Sequence, residues 1–176
     1  MAYVVKADGR ELQAEEALTF LQSEGIPYER WDLDGFSGRL VADYDLTDDE
    51  KEAILSHFVD PIEILKEKNH YQTADIVVLS AATPNLDGLL QMFQRKHHHS
   101  EDEVRFVVDG HGVFTILGAD DQYFNVHVGP GDLLVVPNGR SHAFWLAEDR
   151  KIKCVRLFQS KDGWQALFED QSTTTA

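Results

Sequence analysis

Residues 96–105, KHHHSEDEVR, carry three histidines, three acids and an arginine behind a lysine. Imidazole and carboxylate side chains at such density are the ligands of a divalent transition metal. A purification tag would sit at a terminus, and a solvated charge run is the ordinary alternative for a stretch of this kind. Side-chain parity argues for the metal. On extended backbone His97 and His99 face one side and His98 the other, so an H-x-H pair presents a two-pronged claw. Glu103 and Arg105 share a face in the segment that follows. A straight strand would separate His97 from Glu103 by roughly 20 Å. The chain is therefore expected to turn at Ser100-Glu101-Asp102 and return Glu103 beside the pair, with His98 and Glu101 pointing away and His98, Glu101 and Asp102 forming the solvated side. His142, which opens the apolar segment HAFWLA directly after PNGRS, is the candidate for a fourth ligand. Three imidazoles and one carboxylate suit iron, nickel, manganese or zinc alike.

Such a site needs strands to set its parity, and the second part of the chain supplies them. EVRFVV, GVFTIL, YFNVHV, DLLVVP, HAFWLA and KCVRLF are rich in β-branched and aromatic residues, and turn-forming DGHG and GPGD lie between two pairs of them. Short strands at this spacing predict a barrel or sandwich, and a small barrel holds a ligand in its mouth. TADIVVLS reads as a further strand and PNLDGLLQMF as a short helix or turn. Residues 1–72 read as mostly helical. Ala14, Ala17, Leu18 and Leu21 repeat at helical spacing up to Gly25, and YERWDLD alternates like a short strand. Thr47 and Glu50 fit a capping box at the head of a second helix. Pro61 either interrupts that helix or opens another with Asp60 as its cap, and EILKEKNH runs helically to about His70. The fold class is thus mainly β, an antiparallel barrel with an N-terminal helical elaboration. The expected organisation is one domain: residues 1–72 helical, 73–160 the barrel, and 161–176 a C-terminal segment frayed at its end.

The 176 residues carry a net charge of −15, which argues against nucleic acid and anionic membranes as partners. One cysteine, Cys154, allows no intramolecular disulfide; alternating with Ile152, it reads as buried packing. The first residues lack the basic and apolar regions of a signal peptide, and no apolar run reaches the roughly 20 residues of a membrane span. A cytoplasmic, monomeric protein is the expectation. His57, His70, His111 and His127 read as surface or packing residues.

The two histidine segments together match the paired motifs of the cupins. His97, His99, Glu103 and Gly110 fit the first motif, and Gly131, Pro137, Gly139 and His142 fit the second. Gln91 and Leu146 depart from a usual Gly and Asn. The resemblance narrows further. PNLD upstream of H-x-H, DEVRF after it, YERW near the N-terminus and GW near the C-terminus resemble the acireductone dioxygenases of methionine salvage. This likeness runs from about residue 3 to 168 and takes in the helical region that a bare cupin lacks.

The resemblance implies a jelly-roll cupin barrel and an enzyme with one Fe(2+) or Ni(2+) per chain, held by His97, His99, Glu103 and His142. Its substrates would be dioxygen and the acireductone 1,2-dihydroxy-3-keto-5-methylthiopentene. The iron form would give formate and 4-methylthio-2-oxobutanoate; the nickel form would give formate, carbon monoxide and 3-methylthiopropanoate. Arg105, two residues after Glu103, faces the same cavity on a strand and would hold an anionic substrate oxygen; a salt bridge to Glu101 or Asp102 is its alternative. The resemblance assigns Phe93, Phe144 and Trp164 to an apolar wall for the methylthio tail, and Phe144 also shares parity with His142. Lys96 stands where the family often has an acid, and GRSH replaces a more usual Thr-Pro-His at the last ligand. Another metal-dependent cupin dioxygenase or isomerase, or a non-catalytic cupin binding a small ligand, are the alternatives.

Overall fold

A computed structural model describes residues 1–162 and 165–169 of the chain. Its strands are β1 (Tyr3–Val5), β2 (Glu11–Leu12), β3 (Tyr28–Arg30), β4 (Thr73–Leu79), β5 (His97–His98), β6 (Glu103–Gly110), β7 (Gly112–Leu117), β8 (Tyr123–Val128), β9 (Asp132–Val136), β10 (His142–Leu146), β11 (Ile152–Phe158) and β12 (Leu167–Phe168). Five helices join them: α1 (Ala14–Ser23), α2 (Arg39–Ala42), α3 (Asp48–His57), α4 (Val59–Asn69) and α5 (Leu86–Phe93). All six segments expected as strands in the second part of the chain are strands, and all the pairings are antiparallel.

Two sheets face each other. One runs β12-β5-β10-β7-β8-β1-β2 and the other β3-β9-β6-β11-β4. Alternation sorts their side chains. On β7, Phe114 and Ile116 point into the barrel while Val113, Thr115 and Leu117 point out. The inward set, including Phe114, Ile116, Val126, Leu134 and Ile152, forms a core between the sheets. A second core lies outside the five-stranded sheet, whose strands are apolar on both faces. There Phe106, Val104, Leu133 and Val155 pack beneath Trp31, Phe36, Ile54 and Phe58. Phe106 is fully buried, with ring centroids 4.6 Å from Trp31 and 4.9 Å from Phe58. Strands buried on both faces read as continuous apolar runs, and LLVV of β9 is one.

The first 72 residues do more than add helices. β1 and β2 extend the seven-stranded sheet, and β3 pairs with β9 at the edge of the other. These strands are two or three residues long, too short for a periodicity to announce them. Helix α1 ends before Gly25, whose φ of +69° suits glycine, but its buried face is narrower than the spacing suggests: Ala17 and Leu21 are buried and Leu18 is exposed. The Thr47–Glu50 capping box is present. Pro61 is neither a helix break nor the first residue behind an Asp60 cap. It occupies the third position of α4, whose cap is Phe58, where the missing N–H has no intrahelical partner to lose. Gly110 closes β6 at φ +78°, and a Cβ there would collide with the Lys151 carbonyl.

No helix among the described residues is long and apolar enough to cross a membrane. Phe106→Ala should destabilise the protein by about 3–5 kcal/mol, read from urea denaturation, because the ring fills the contact between sheet and helices. A loss below about 1 kcal/mol would mean that the helical layer does not lean on that sheet.

Candidate metal centre

The site gathers where one end of each sheet meets the other. His97 sits on β5, His99 follows it, Glu103 opens β6 and His142 opens β10. His142 is the cross-strand partner of His97. The chain does turn at Ser100-Glu101-Asp102, bringing Glu103 back beside the H-x-H pair. One potential ligand atom from each of His97, His99, Glu103 and His142 lies within 4.8 Å of the others, and all four residues are buried.

Hydrogen bonding fixes the imidazoles. Nδ1 of His97 lies 2.7 Å from the Arg95 carbonyl, Nδ1 of His99 3.0 Å from that of Gln165, and Nδ1 of His142 2.9 Å from that of Arg140. A carbonyl only accepts, so each Nδ1 carries the proton and each neutral ring keeps its lone pair on Nε2. For His99 and His142 those nitrogens lie 2.9 and 2.6 Å from Glu103 Oε2. Lone pairs at such a distance from a carboxylate oxygen repel unless a cation lies among them. A proton serves in the metal-free protein, and a divalent ion fits the same donors. The backbone carbonyls are the outer partners that orient metal-binding histidines.

Charge follows the same geometry. Burial alone would raise the Glu103 carboxyl, but Arg105 and His142 outweigh it and hold the group well below the ordinary carboxylate range. Burial pulls His142 down, and its contact with Glu103 overcomes this and raises it. Burial keeps His97 below its ordinary value, which favours the neutral, ligating ring.

Arg105 donates from Nε to Glu103 Oε1 at 2.8 Å, and its buried Nη1 has no partner among the described residues. It makes no bond to Glu101 or Asp102. Those acids are not a free solvated face either. Glu101 accepts from the backbone N–H groups of Gln159 and Ser160, and Asp102 from Asn138 N–H and the Tyr71 hydroxyl. They brace the ligand-bearing turn against two other loops.

Beside the cluster lies a cavity of about 900 Å³, lined by His97, His99, Glu103 and Arg105 on its polar side and by Phe93 and Phe144 on its apolar side. The Phe93 and Phe144 rings meet edge to face at 6.4 Å. Trp164, expected in this wall, lies outside the described residues. Cys154 is buried as expected but also lines the cavity, its thiol pushed up to about 12 by burial.

Arg156 was not anticipated. It lines the cavity, pairs with Asp75 at 2.8 and 2.6 Å, and is the cross-strand partner of Arg105. Its parity with Cys154 and Ile152 was visible in the sequence, but the register that sets it beside Arg105 was not. Of the remaining histidines, His57 packs on Phe36 and Phe58, His111 pairs with Asp149 and His127 stacks on Tyr3. None of them lines this cavity.

The Glu103–His142 contact has a pH signature. The lowered Glu103 value contributes stability above the ordinary carboxylate value of 4.5, lost as pH falls through its folded value. The raised His142 value contributes below 6.5, lost as pH rises through its folded value. In chelator-treated protein, Glu103→Gln should therefore cost on the order of 3 kcal/mol between these limits and less on either side. Thermal melts of both proteins against pH read the difference, and a gap that ignores pH would refute the pairing.

Comparison with known proteins follows the same lines. The model of the ARD/ARD′ family matches residues 39–166. An acireductone dioxygenase of Bacillus pumilus is 48% identical over 158 residues, covering 90% of each chain. One of Exiguobacterium sibiricum is 47% identical over 171 residues, covering 97% of this chain and 96% of its own. A solved structure of an acireductone dioxygenase from Bacillus anthracis, with a cadmium ion in its active center, superposes with a TM-score of 0.92 at 39% identity, covering 96% of this chain and 98% of its own. With the cupin barrel and this degree of likeness along nearly its whole length, the chain belongs to the acireductone dioxygenase (ARD/ARD′) family.

Proposed function

We propose that the chain is a metal-dependent acireductone dioxygenase whose metal ligands are His97, His99, Glu103 and His142. The observation that carries this reading is the buried Nη1 of Arg105, without a partner among the described residues, beside the four-residue cluster on the wall of a largely apolar cavity. A Fe(2+) or Ni(2+) ion at the cluster would supply a Lewis acid for an enediol's two adjacent oxygens.

The rest falls to the protein. Arg105 donates to an anionic oxygen of the substrate while Glu103 holds its guanidinium from the other side. A charge-assisted bond in a cavity poor in water is stronger than one in solvent. Phe93 and Phe144 take the methylthio tail, and the apolar interior keeps water from the reacting carbons. The three backbone carbonyls on Nδ1 keep every imidazole in its ligating tautomer. The chain acts on acireductone and dioxygen as a monomer in the cytoplasm. The branch of the reaction follows the metal: iron gives formate and 4-methylthio-2-oxobutanoate, whereas nickel gives formate, carbon monoxide and 3-methylthiopropanoate in place of the keto acid.

Two experiments test the reading. Apoprotein loaded separately with Fe(2+) and Ni(2+) and given acireductone under dioxygen should release carbon monoxide only in the nickel sample. Oxygen consumption in neither sample would overturn the assignment. Arg105→Ala should retain its metal, measured by elemental analysis, and lose about 100-fold or more in kcat/KM, the scale of a preorganised donor to a developing anion. Wild-type turnover would remove Arg105 from the site.

A further inference from the structure

We propose that Arg140 positions His142 for the metal, a role that rests on the metal-enzyme reading above. His142 is the one candidate ligand from the second histidine segment, and on the side away from Glu103 its ring is oriented by Nδ1–H donating to the Arg140 carbonyl at 2.9 Å. The aim of that carbonyl is set by how Arg140 is held, and Arg140 is held by its own side chain. Nη1 donates to the Leu117 carbonyl at 2.9 Å and lies 3.4 Å from Glu24 Oε2, while Nη2 donates to the Glu24 carbonyl at 2.8 Å.

Each anchor belongs to a rigid element. Leu117 ends β7, the neighbour of β10, and its N–H donates to the Ser141 carbonyl at 2.9 Å. Glu24 caps the C-terminus of α1, a helix with no basic residue in its last turn. Arg140 supplies the cation that such a terminus favours. Glu24 in turn accepts from Ala119 N–H at 3.0 Å, so the same carboxylate braces the turn after β7. The Arg140 N–H closes the turn onto the Pro137 carbonyl at 3.1 Å. Helix, strand and turn therefore converge on one residue, and its carbonyl is aimed at His142.

This arrangement is particular to the sequence GRSH. A threonine at position 140 has no side chain long enough to reach Leu117 and Glu24 together. Arg140 thus replaces whatever rigidity a Thr-Pro pair gives the loop with a three-acceptor anchor. The competing view is that Arg140 only stabilises the fold and leaves the metal unaffected.

Nickel titration of the apoprotein by calorimetry, with the visible spectrum of the Co(2+)-loaded protein, separates the two. Arg140→Ala keeps the carbonyl but frees its aim, so it should bind Ni(2+) about tenfold more weakly, the low end of the cost of disturbing a ligand's outer partner, and should shift the Co(2+) bands. Arg140→Lys, whose single ammonium cannot serve both anchors, should fall between the two. Tyr44→Phe, which loses a bond to Asp109 toward the far end of β6 from Glu103, should lower the unfolding midpoint and leave both metal readouts at wild type. Wild-type affinity and spectrum in Arg140→Ala would overturn the role. If that variant does not fold, the same result in Arg140→Lys overturns it, and weakened binding supports it. Equal weakening in Tyr44→Phe would assign the effect to stability alone and overturn the role. A wild-type apoprotein that takes up no Ni(2+) would overturn the metal reading itself, and the positioning role with it.

Discussion

The Glu103 carboxylate, buried among three imidazoles and a guanidinium, is the interaction on which the site depends. One oxygen faces His99 and His142 at 2.9 and 2.6 Å, and the other accepts from Arg105 at 2.8 Å. A carboxylate removed from water is costly unless cations and donors surround it. Those partners come from β5 and the residue after it, β6 and β10, and these strands belong to two different sheets. The register His142↔His97 joins two of these strands, and Glu103↔Val136 places the third beside β9. A slip of one residue in any of them would turn its ligand to the opposite face. The barrel is therefore a requirement of the site and not just its setting.

The stiffness behind that register comes from two cores. Between the sheets, apolar side chains fix the inward faces and leave a cavity at the ligand end. Outside the five-stranded sheet, the helices bury a second apolar layer on β6, β9 and β11. Glu103 and Arg105 ride on β6, so the N-terminal region acts on the site from behind, through a strand packed on both sides. A bare barrel with a solvated outer face would hold β6 less firmly. This gives the first 72 residues a physical purpose although none of them lines the cavity.

What the sequence revealed was whatever obeys a local period. Parity alone sorted His97, His99 and Glu103 from His98, and the distance argument required the turn at 100–102. Phe144 followed from His142 by the same rule. What it hid depends on which strands become neighbours. Arg156 and Arg105 are 51 residues apart and meet only because β6 pairs with β11. Glu101 and Asp102 looked like solvent-facing acids because most of their partners are backbone N–H groups on distant loops, and a backbone donor leaves no trace in composition. The three short N-terminal strands have no pattern of their own and exist because longer strands offer them an edge. Arg140 appeared only as a departure from a familiar tripeptide. Its anchors on α1 and β7 gave that departure a structure.

A net charge of −15 would by itself repel an anionic enediolate, and the geometry answers the objection. Charges exposed to solvent are screened beyond roughly 8 Å at physiological ionic strength, so the acidic surface acts weakly at the cavity. Inside, Arg105 and Arg156 stand side by side across β6 and β11, a pairing that would repel if both were bare. Each instead has its own carboxylate, Glu103 or Asp75. Asp75 binds Arg156 through two parallel bonds, leaving that cation neutralised near the wall. Glu103 meets Arg105 through Nε alone, with its second oxygen turned to the histidines, so Nη1 has no partner among the described residues. The two guanidiniums thus differ in what they have left to give. For the proposed substrate, Arg105 offers a donor that is buried and unpaired among the described residues, and the ion held by the four ligands would add positive charge at the same corner of an otherwise apolar cavity.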